Sequence, residues 1–357
     1  EYSSLFRSNL FNINCDETFD LGKGRGKKLA DQIGSHAMYI QWVNRVCEHV
    51  KSLGKRPMFW GDIIAAHPET IRELPEDIIC MTWDYSLAPG DTNVRKLWEN
   101  GAHQYLCPGV QGWNQTIHLL DIAYENIKKM ASFAHQFDGE GLLTTDWGDY
   151  GHLQHPELAL VGIIYGAAFG WNSKIPEREE INADISVIEY GDRSATLIEI
   201  ISEMSNQAVM HWGELVQFSE TYRYQIAGKD MDTFWKGYLP RIETSLPHIV
   251  ECNETIRNDM AKVAALLVQI EDDRREGIAP VLHMAEGQIL INTILRVLDR
   301  EYLGHPDAYT GDTKALAEAL EIWYYEYRRQ WHKISRESEL YRIGELIFWL
   351  ADYIREL

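Results

Sequence analysis

Residues 10–22 read LFNINCDETFDLG, a short apolar run that leads directly into the adjacent carboxylates Asp16 and Glu17. The apolar run favours a β-strand. In enzymes built on parallel sheets, reactive groups are carried at the carboxyl ends of the strands. Two neighbouring acids also push each other's pKa apart, so one carboxyl can donate a proton while the other stays ionised. Taken alone, an Asp-Glu pair after a strand is more commonly a solvated turn or a helix cap.

Five strand-like runs occupy the first half of the chain: residues 10–14, 56–60, 78–82, 103–107 and 141–145. Helical patterns lie between them. In the first of these, Gly54 is a stop signal, and apolar residues at three- and four-residue spacing predict a helix face laid on the sheet: Tyr39, Trp42, Val43, Val46, Val50 and Leu53. Strands that alternate with helices predict a parallel sheet covered by helices, so the first half is predicted to be α/β.

The character of the sequence changes after about residue 176. Long helical patterns fill the second half, with few strand-like runs between them: residues 194–218, 255–272, 281–300, 313–331 and 335–356. Trp, Tyr and Leu recur there at helical spacing, which is typical of contacts between helices. The sequence therefore predicts two domains, an α/β domain over residues 1–175 and an all-α domain over residues 176–357.

Composition limits the possible functions. The 357 residues carry a formal net charge of -20, which disfavours a nucleic-acid surface because phosphate binding needs clustered Lys and Arg. Hydrophobic residues make up 45% of the chain, which supports a substantial core. The chain also has 12 Trp and 18 Tyr, and flat aromatic rings are natural platforms for sugar faces. These features favour a small neutral or cationic ligand.

Five cysteines are scattered without any Cys-x-x-Cys spacing, which predicts reduced thiols and a cytoplasmic protein. No uninterrupted run of about 18 apolar residues is present, so neither a spanning helix nor a membrane partner is predicted. The chain begins at Glu1 rather than Met, which leaves room for a preceding signal peptide or N-terminal region. No motif indicates a cofactor.

Each predicted strand ends in a group suited to a sugar site. In a parallel barrel these ends lie on one face and converge on one pocket. A buried core would not end strand after strand in carboxylates, and an ordinary surface would not carry so many indoles. The strand ends read Asp16-Glu17, Trp60-Gly61-Asp62, Trp83-Asp84-Tyr85, YLCPGVQGW from Tyr105 to Trp113, and Asp146-Trp147-Gly148-Asp149.

The order of these motifs resembles glycoside hydrolase family 20, the β-N-acetylhexosaminidases. NINCDE (12–17) resembles the strand-four motif of that family, FWGD (59–62) resembles the Trp and acid of strand five, and Trp83 resembles the Trp of strand six. YLC (105–107) resembles a Tyr-Leu-Asp motif on strand seven, and WGD (147–149) resembles the Trp-x-Glu of strand eight. The segments CPG, GWN and TTDWGDYGH are closest to the cytosolic hexosaminidase D-like branch. The resemblance covers roughly residues 1–172.

The resemblance implies substrate-assisted retaining hydrolysis, in which the substrate's own 2-acetamido oxygen attacks the anomeric carbon. In that scheme Glu17 protonates the glycosidic oxygen and then activates water, while Asp16 accepts the acetamido N–H and stabilises developing positive charge. Tyr105 donates to the acetamido oxygen. The implied activity is that of an exo-β-N-acetylhexosaminidase acting on terminal β-linked N-acetylhexosamine of a glycan. The residues expected to form the sugar-binding pocket are Trp60, Asp62, Trp83, Trp113, Trp147 and Asp149.

Four positions depart from the family pattern. Asn14 and Cys15 stand where glycines are more typical, Cys107 replaces an acid, and Asp149 is shorter than the usual Glu. The last two changes affect contacts with sugar hydroxyls, so the preference between GlcNAc and GalNAc is not fixed by the motifs.

The number of predicted strands is too small for a complete barrel. A (β/α)8 TIM barrel has eight strands, whereas five are predicted here, beginning with the one that resembles strand four. We therefore expect the α/β domain to be a (β/α)8 barrel that lacks about the first three βα units and is completed by an N-terminal segment or a second chain. Five strands alone would expose apolar edges.

Two alternatives stay open. A retaining glycosidase could use Asp62 or Asp149 as a carboxylate nucleophile with Glu17 as the acid, the two carboxyl groups then lying about 5 Å apart. A glycan-binding or inactive remnant would bind sugar without turnover. A metal site is not predicted, because His152 and His155 lack the i, i+4 helical spacing of a zinc pair.

Overall fold

The computed structural model describes residues 2–172, 174–224, 228 and 230–357. Contacts between residues divide the chain into two compact units. Residues 110–123 and 146–164 group with the C-terminal helices, whereas the predicted boundary at residue 175 places them in the α/β domain. Unit 1 comprises Glu1–Gly109, Tyr124–Thr145 and Tyr165–Ile175; unit 2 comprises Val110–Ala123, Asp146–Ile164 and Pro176–Leu357.

Unit 1 is built on one sheet of five strands in the order β1-β2-β3-β4-β5. Every neighbouring pair is parallel, as the alternation of strands and helices predicts. The register pairs Leu10 with Arg56 and Met81 with Tyr105. The strands are β1 (Leu10–Asn12), β2 (Arg56–Trp60), β3 (Ile79–Trp83), β4 (His103–Cys107) and β5 (Gly141–Leu142).

The prediction of a (β/α)8 TIM barrel, even one lacking three units, is wrong. The described residues form a single sheet with two free edges, because β1 pairs only with β2 and β5 pairs only with β4. A closed barrel needs enough strands, with a matching stagger, for the first and last to pair. Five strands whose terminal members span three and two residues do not meet that requirement.

Both edge strands are shorter than predicted, for local reasons. β1 ends at Asn12 because Asn14 and Cys15 adopt left-handed backbone conformations that cannot continue a strand. After β5, pairing with the neighbouring segment continues irregularly: the Leu143 N–H donates to the Leu106 carbonyl and the Thr145 N–H donates to the Pro108 carbonyl.

Helices cover one face of the sheet. In α2 the residues Tyr39, Val43 and Cys47 are buried and pack in one cluster with Phe59 of β2 and Cys80 of β3. Tyr39 and Val43 belong to the apolar face that the sequence predicts for this helix, whereas Trp42 and Leu53 of the same predicted face are 57% and 48% exposed. A second cluster joins Leu106 of β4 to the helices α4 and α5. The helices are α1 (Lys27–Ile33), α2 (Ser35–Ser52), α3 (Asp62–Ala65), α4 (Thr92–Glu99), α5 (Leu120–Gln136) and α6 (Ala159–Trp171).

A charged clamp lies where strands β2, β4 and β5 begin. The Arg56 guanidinium donates two parallel hydrogen bonds to the Glu140 carboxylate, at 2.7 Å and 2.9 Å. His103, the first residue of β4, contacts the same carboxylate with Nδ1 at 2.5 Å. Hydrogen bonding from Arg56 is the main reason that the pKa of Glu140 lies below its usual range. The clamp therefore ties together the amino-terminal ends of three strands.

Unit 2 is helical wherever the structure describes regular elements longer than a single turn. The stretch Arg274–Leu303 is long and apolar enough to cross a membrane by length and composition, but 67% of its most apolar window is buried inside the structure, as in a core helix. The helices that follow residue 176 are α7 (Arg178–Ile188), α8 (Leu197–Ser205), α9 (Trp212–Tyr224), α10 (Met231–Ile242), α11 (Ile249–Leu267), α12 (Asp272–Ile278), α13 (Pro280–Leu298), α14 (Thr313–Ile334) and α15 (Leu340–Glu356).

The predicted continuous helix over residues 194–218 is interrupted between α8 and α9. Side chains of α13 form hydrogen bonds with the backbone between α8 and α9. Asn292 Nδ2 donates to the Gln207 carbonyl at 3.0 Å, and Asn292 Oδ1 accepts from the Val209 N–H at 3.1 Å. Gln288 Nε2 donates to the Met210 carbonyl at 2.9 Å. These tertiary hydrogen bonds replace the hydrogen bonds that a continuous helix would make, and they stabilise the break between α8 and α9.

Candidate active site

Hydrogen bonds within unit 1 join the carboxyl-terminal ends of neighbouring strands and the residues that follow them. The Trp60 N–H donates to the Asn14 carbonyl at 3.0 Å, and the Gly61 N–H donates to the Met81 carbonyl at 2.9 Å. Further along, Thr145 Oγ1 donates to the Pro108 carbonyl at 3.0 Å. These bonds fix neighbouring strand ends relative to one another at the carboxyl edge of the sheet.

The segment after β1 is conformationally strained. Asn14, Cys15 and Glu17 have φ values of 59°, 74° and 45°, in the left-handed region that residues other than glycine seldom adopt. Tyr39 in α2 donates its hydroxyl hydrogen to the Cys15 carbonyl at 2.9 Å. The Glu17 N–H donates to Asp62 Oδ2 at 3.0 Å. Strain of this kind persists only where the surroundings fix the backbone, and it concentrates at functional sites.

Asp62 holds the backbone of the acid pair. One carboxylate oxygen accepts the Glu17 N–H, and the other is buried without a partner in the part of the chain that the structure describes. Burial raises the pKa of Asp62 above its usual value, and the negative charge of Asp16 raises it further. The observed contact therefore assigns Asp62 to positioning Glu17.

Asp16 and Glu17 differ in exposure. Asp16 is half-buried, whereas Glu17 is exposed. The negative charge of Asp16 also contributes to a raised pKa of the Cys15 thiol, after the larger effect of burial. Asp16 thus lies in a less solvated environment than its neighbour. An exposed acid can reach the oxygen of an approaching substrate, while a half-buried carboxylate is better placed to stabilise positive charge.

The two tryptophans predicted for this edge in unit 1 occupy different environments. Trp60 is only 4% exposed, so little of its ring is available to stack on a sugar. Trp83 is half-buried and stacks on Tyr85, with ring centroids 5.2 Å apart and an interplanar angle of 16°. Of the two, Trp83 offers the more accessible aromatic face.

Asn126 organises the ends of β3 and β4, and the sequence analysis did not identify it. This fully buried side chain donates from Nδ2 to the carbonyls of Asp84 and Ser86, at 2.9 Å and 2.8 Å, and accepts the Gly109 N–H at 3.1 Å. The Asp84 carboxylate accepts from the Ser86 N–H and hydroxyl, so it stabilises its own turn. The only signal in the sequence is an amide within the apolar face of α5.

Tyr105 lies against the backbone of β5. A Cβ added to Gly141 would approach the Tyr105 ring to 2.7 Å, so the absence of a side chain at Gly141 allows this close approach. Tyr105 is half-buried on β4. Cys107, which stands where the family pattern has an acid, is fully buried, and burial raises the pKa of its thiol well above the usual value. Cys107 therefore offers no exposed polar group.

The remaining predicted pocket residues, Trp113, Trp147 and Asp149, belong to unit 2. Both tryptophans are half-buried, and Gln154 Nε2 donates to the Trp147 carbonyl at 3.1 Å. Asp149 begins the short turn Asp149–Gly151, and burial raises its pKa above the usual value. The structure thus associates Asp16, Glu17, Trp60, Asp62, Trp83 and Tyr105 with one unit and these three residues with the other.

A histidine and aspartate cluster in unit 2 was not anticipated. Asp146 lies 4.0 Å from His118 Nε2 and 3.8 Å from His152 Nε2. His118 is buried, neither ring nitrogen has a partner among the described residues, and burial lowers its pKa to about 4. The ring is therefore neutral at pH 7 and forms no ion pair with Asp146. Among the described residues, no group of three or more His, Cys, Asp or Glu could hold a metal ion.

Comparison with known proteins adds no family assignment. Neither the family models nor the curated proteins that were searched match this chain. A functional interpretation therefore rests on the motifs and on the geometry of the carboxyl edge.

Proposed function

We propose that this protein is an exo-β-N-acetylhexosaminidase that uses the 2-acetamido group of its substrate as the nucleophile. The main support is the backbone at Asn14 and Cys15. Both residues are left-handed, and the motif that this segment resembles typically has glycine at these positions. The chain therefore has a backbone conformation suited to glycine at the two positions where the resembled motif has glycine.

The proposed reaction begins with proton transfer from Glu17 to the glycosidic oxygen. As the bond from that oxygen to the anomeric carbon breaks, the acetamido oxygen bonds to the same carbon and forms an oxazolinium ion. Asp16 accepts the acetamido N–H and stabilises the positive charge, and Tyr105 donates to the acetamido oxygen. Water then attacks the anomeric carbon and gives a proton to the Glu17 carboxylate, while the bond from that carbon to the oxazolinium oxygen breaks and restores the acetamido group, so the sugar keeps its original configuration.

The environment of Asp62 argues against this residue as the nucleophile of the double-displacement alternative. A carboxylate nucleophile must present an ionised oxygen to the anomeric carbon. One oxygen of Asp62 already accepts the Glu17 N–H, the other is buried, and burial favours the protonated form. Substrate participation needs no such nucleophile and fits this arrangement better.

The deciding experiment measures turnover of 4-nitrophenyl β-N-acetylglucosaminide and inhibition by a thiazoline mimic of the oxazolinium intermediate. We expect turnover, tight thiazoline binding and loss of turnover in Glu17→Gln. Glu99→Gln, at an exposed position in α4, is the matched control and should retain activity. Turnover without thiazoline inhibition would favour double displacement, because such an enzyme has no reason to bind that mimic tightly. Sugar binding without turnover would favour the glycan-binding alternative.

A further inference from the structure

Helix α2 has a second apolar face that does not pack on the sheet. Tyr39, Val43 and Cys47 point into the core, whereas Met38 and Trp42 lie on another side of the helix. The Trp42 side chain is 57% exposed. An exposed indole beside other apolar side chains is characteristic of a binding surface.

This face lines a groove in unit 1 of about 740 Å³, a size typical of small-molecule sites. The other walls come from α1 and from the loop that follows the acid pair. The aromatic side chains Trp42 and Phe19 are both largely exposed. Apolar side chains, among them Phe19, Leu29, Met38 and Trp42, line it together with polar ones, among them Glu17, Asp20, Gln41 and Arg45.

The position of Glu17 indicates which part of a substrate the groove would hold. Glu17 lines the groove and, in the proposed reaction, protonates the oxygen between the sugar and its leaving group. A general acid lies on the leaving-group side of the scissile bond. The groove that continues from this acid is therefore placed for the leaving group.

The chemistry of the groove indicates what kind of leaving group it would accept. Its walls are mostly apolar, and its two exposed aromatic rings favour a flat apolar ligand through stacking and burial. Arg45 lies over the Trp42 ring, with Cζ 5.8 Å from the ring centroid, and so presents a cation at the edge of this platform.

We infer that this groove binds the apolar, aromatic aglycone of a β-N-acetylhexosaminide, which makes aryl glycosides the preferred substrate class. This inference rests on the proposed function, because it uses Glu17 as the general acid. It goes further by assigning Trp42 and Phe19 to recognition of the leaving group.

The test compares Trp42→Ala with Trp171→Ala, whose parent side chain is 90% exposed and lies outside the groove. We expect Trp42→Ala to lower kcat/KM for a 4-methylumbelliferyl glycoside about tenfold, the typical value of one aromatic contact. The loss for the methyl glycoside should be several-fold smaller. Each substrate is compared with itself, so leaving-group acidity cancels. Trp42→Ala should also weaken binding of free 4-methylumbelliferone, measured by calorimetry.

Equal losses on the two glycosides, or no loss on the aryl glycoside, would overturn the inference while leaving the proposed function intact. Concentration-dependent association that disappears in Trp42→Ala without a kinetic change would also overturn it, since the groove would then be a contact between copies. If the unsubstituted chain turns over neither glycoside, the proposed function fails and the aglycone assignment fails with it.

Discussion

The backbone N–H of Glu17 donates a hydrogen bond to Oδ2 of Asp62 at 3.0 Å, joining the segment after β1 to the start of α3. This contact links residues 45 positions apart in the sequence. Because φ of Glu17 is left-handed, its peptide would otherwise relax to a more ordinary conformation. Asp62 therefore determines where the proposed general acid lies.

Removing the Asp62 carboxylate should impair catalysis through Glu17. We expect Asp62→Ala to lower kcat on 4-nitrophenyl β-N-acetylglucosaminide by about 10- to 100-fold, since small displacements of a catalytic group are costly. Asp62→Asn keeps an acceptor oxygen and should lose several-fold less. Steady-state kinetics of both variants check this, together with their thermal unfolding. Equal losses in the two variants would show that the hydrogen bond is not what matters.

The left-handed backbone at Cys15 predicts a reversal in the usual order of Ala and Gly. At φ 74° a Cβ costs about 1–2 kcal/mol, so Cys15→Gly should be more stable than Cys15→Ala by up to about 1 kcal/mol after the entropy of glycine is included. At Cys47, inside α2, Cys47→Ala should instead be more stable than Cys47→Gly by about 1 kcal/mol. Urea denaturation of the four variants measures both differences. If the Ala variant were more stable than the Gly variant at both positions, the backbone at Cys15 would not be strained.

Gly61 should tolerate a methyl group only if Cys80 makes room for it. Its φ of -91° suits any residue, but an added Cβ would lie 2.5 Å from Cys80 Sγ. We expect Gly61→Ala to cost about 1–3 kcal/mol of unfolding free energy. In the Cys80→Ala background the same change should cost much less, which a double-mutant cycle can measure. Gly90→Ala, where the Cβ would meet nothing within 4 Å, is the control.

His118, one of the buried histidines of unit 2, should make the fold sensitive to acid. Burial lowers the pKa of His118 from 6.5 to about 4, so the folded state binds this proton less readily than the unfolded state. The resulting stability is fully present above about pH 6.5 and is lost as the pH falls toward 4, by at most roughly 3 kcal/mol. His118→Asn removes this contribution, so its unfolding free energy should fall less between pH 7 and pH 4.5. An unchanged slope would contradict the assignment.

The sequence predicts individual strands and helices well, but it does not predict whether the strands close into a barrel. The apolar runs predict β2 and β4 with correct bounds, because their side chains are buried on a pleated surface. Closure into a barrel depends on pairing between distant strands, which no local pattern encodes. The break between α8 and α9 escaped prediction for the same reason, because Asn292 and Gln288, which hold it, lie more than 75 residues away.

For the candidate site too, the sequence predicts which residues are present but not the contacts between them. Acidic and aromatic residues at strand ends are visible in the sequence, and the structure places Asp16, Glu17 and Asp62 at one edge of the sheet. Their mutual contacts are not visible, because a hydrogen bond from a backbone N–H carries no compositional signal. Asn126 shows the same limit, since an amide within a helix does not reveal which loops it will join.

The clamp of Arg56, Glu140 and His103 has a practical consequence for experiments on this protein. It fastens the amino-terminal ends of the strands, while the proposed chemistry occupies their carboxyl-terminal ends. The contacts that anchor the strands and the proposed reactive groups thus lie at opposite ends of the strands of one sheet. Substitutions at the carboxyl-terminal ends leave this anchor in place, and the unfolding free energy of each variant then separates a lost activity from a lost fold.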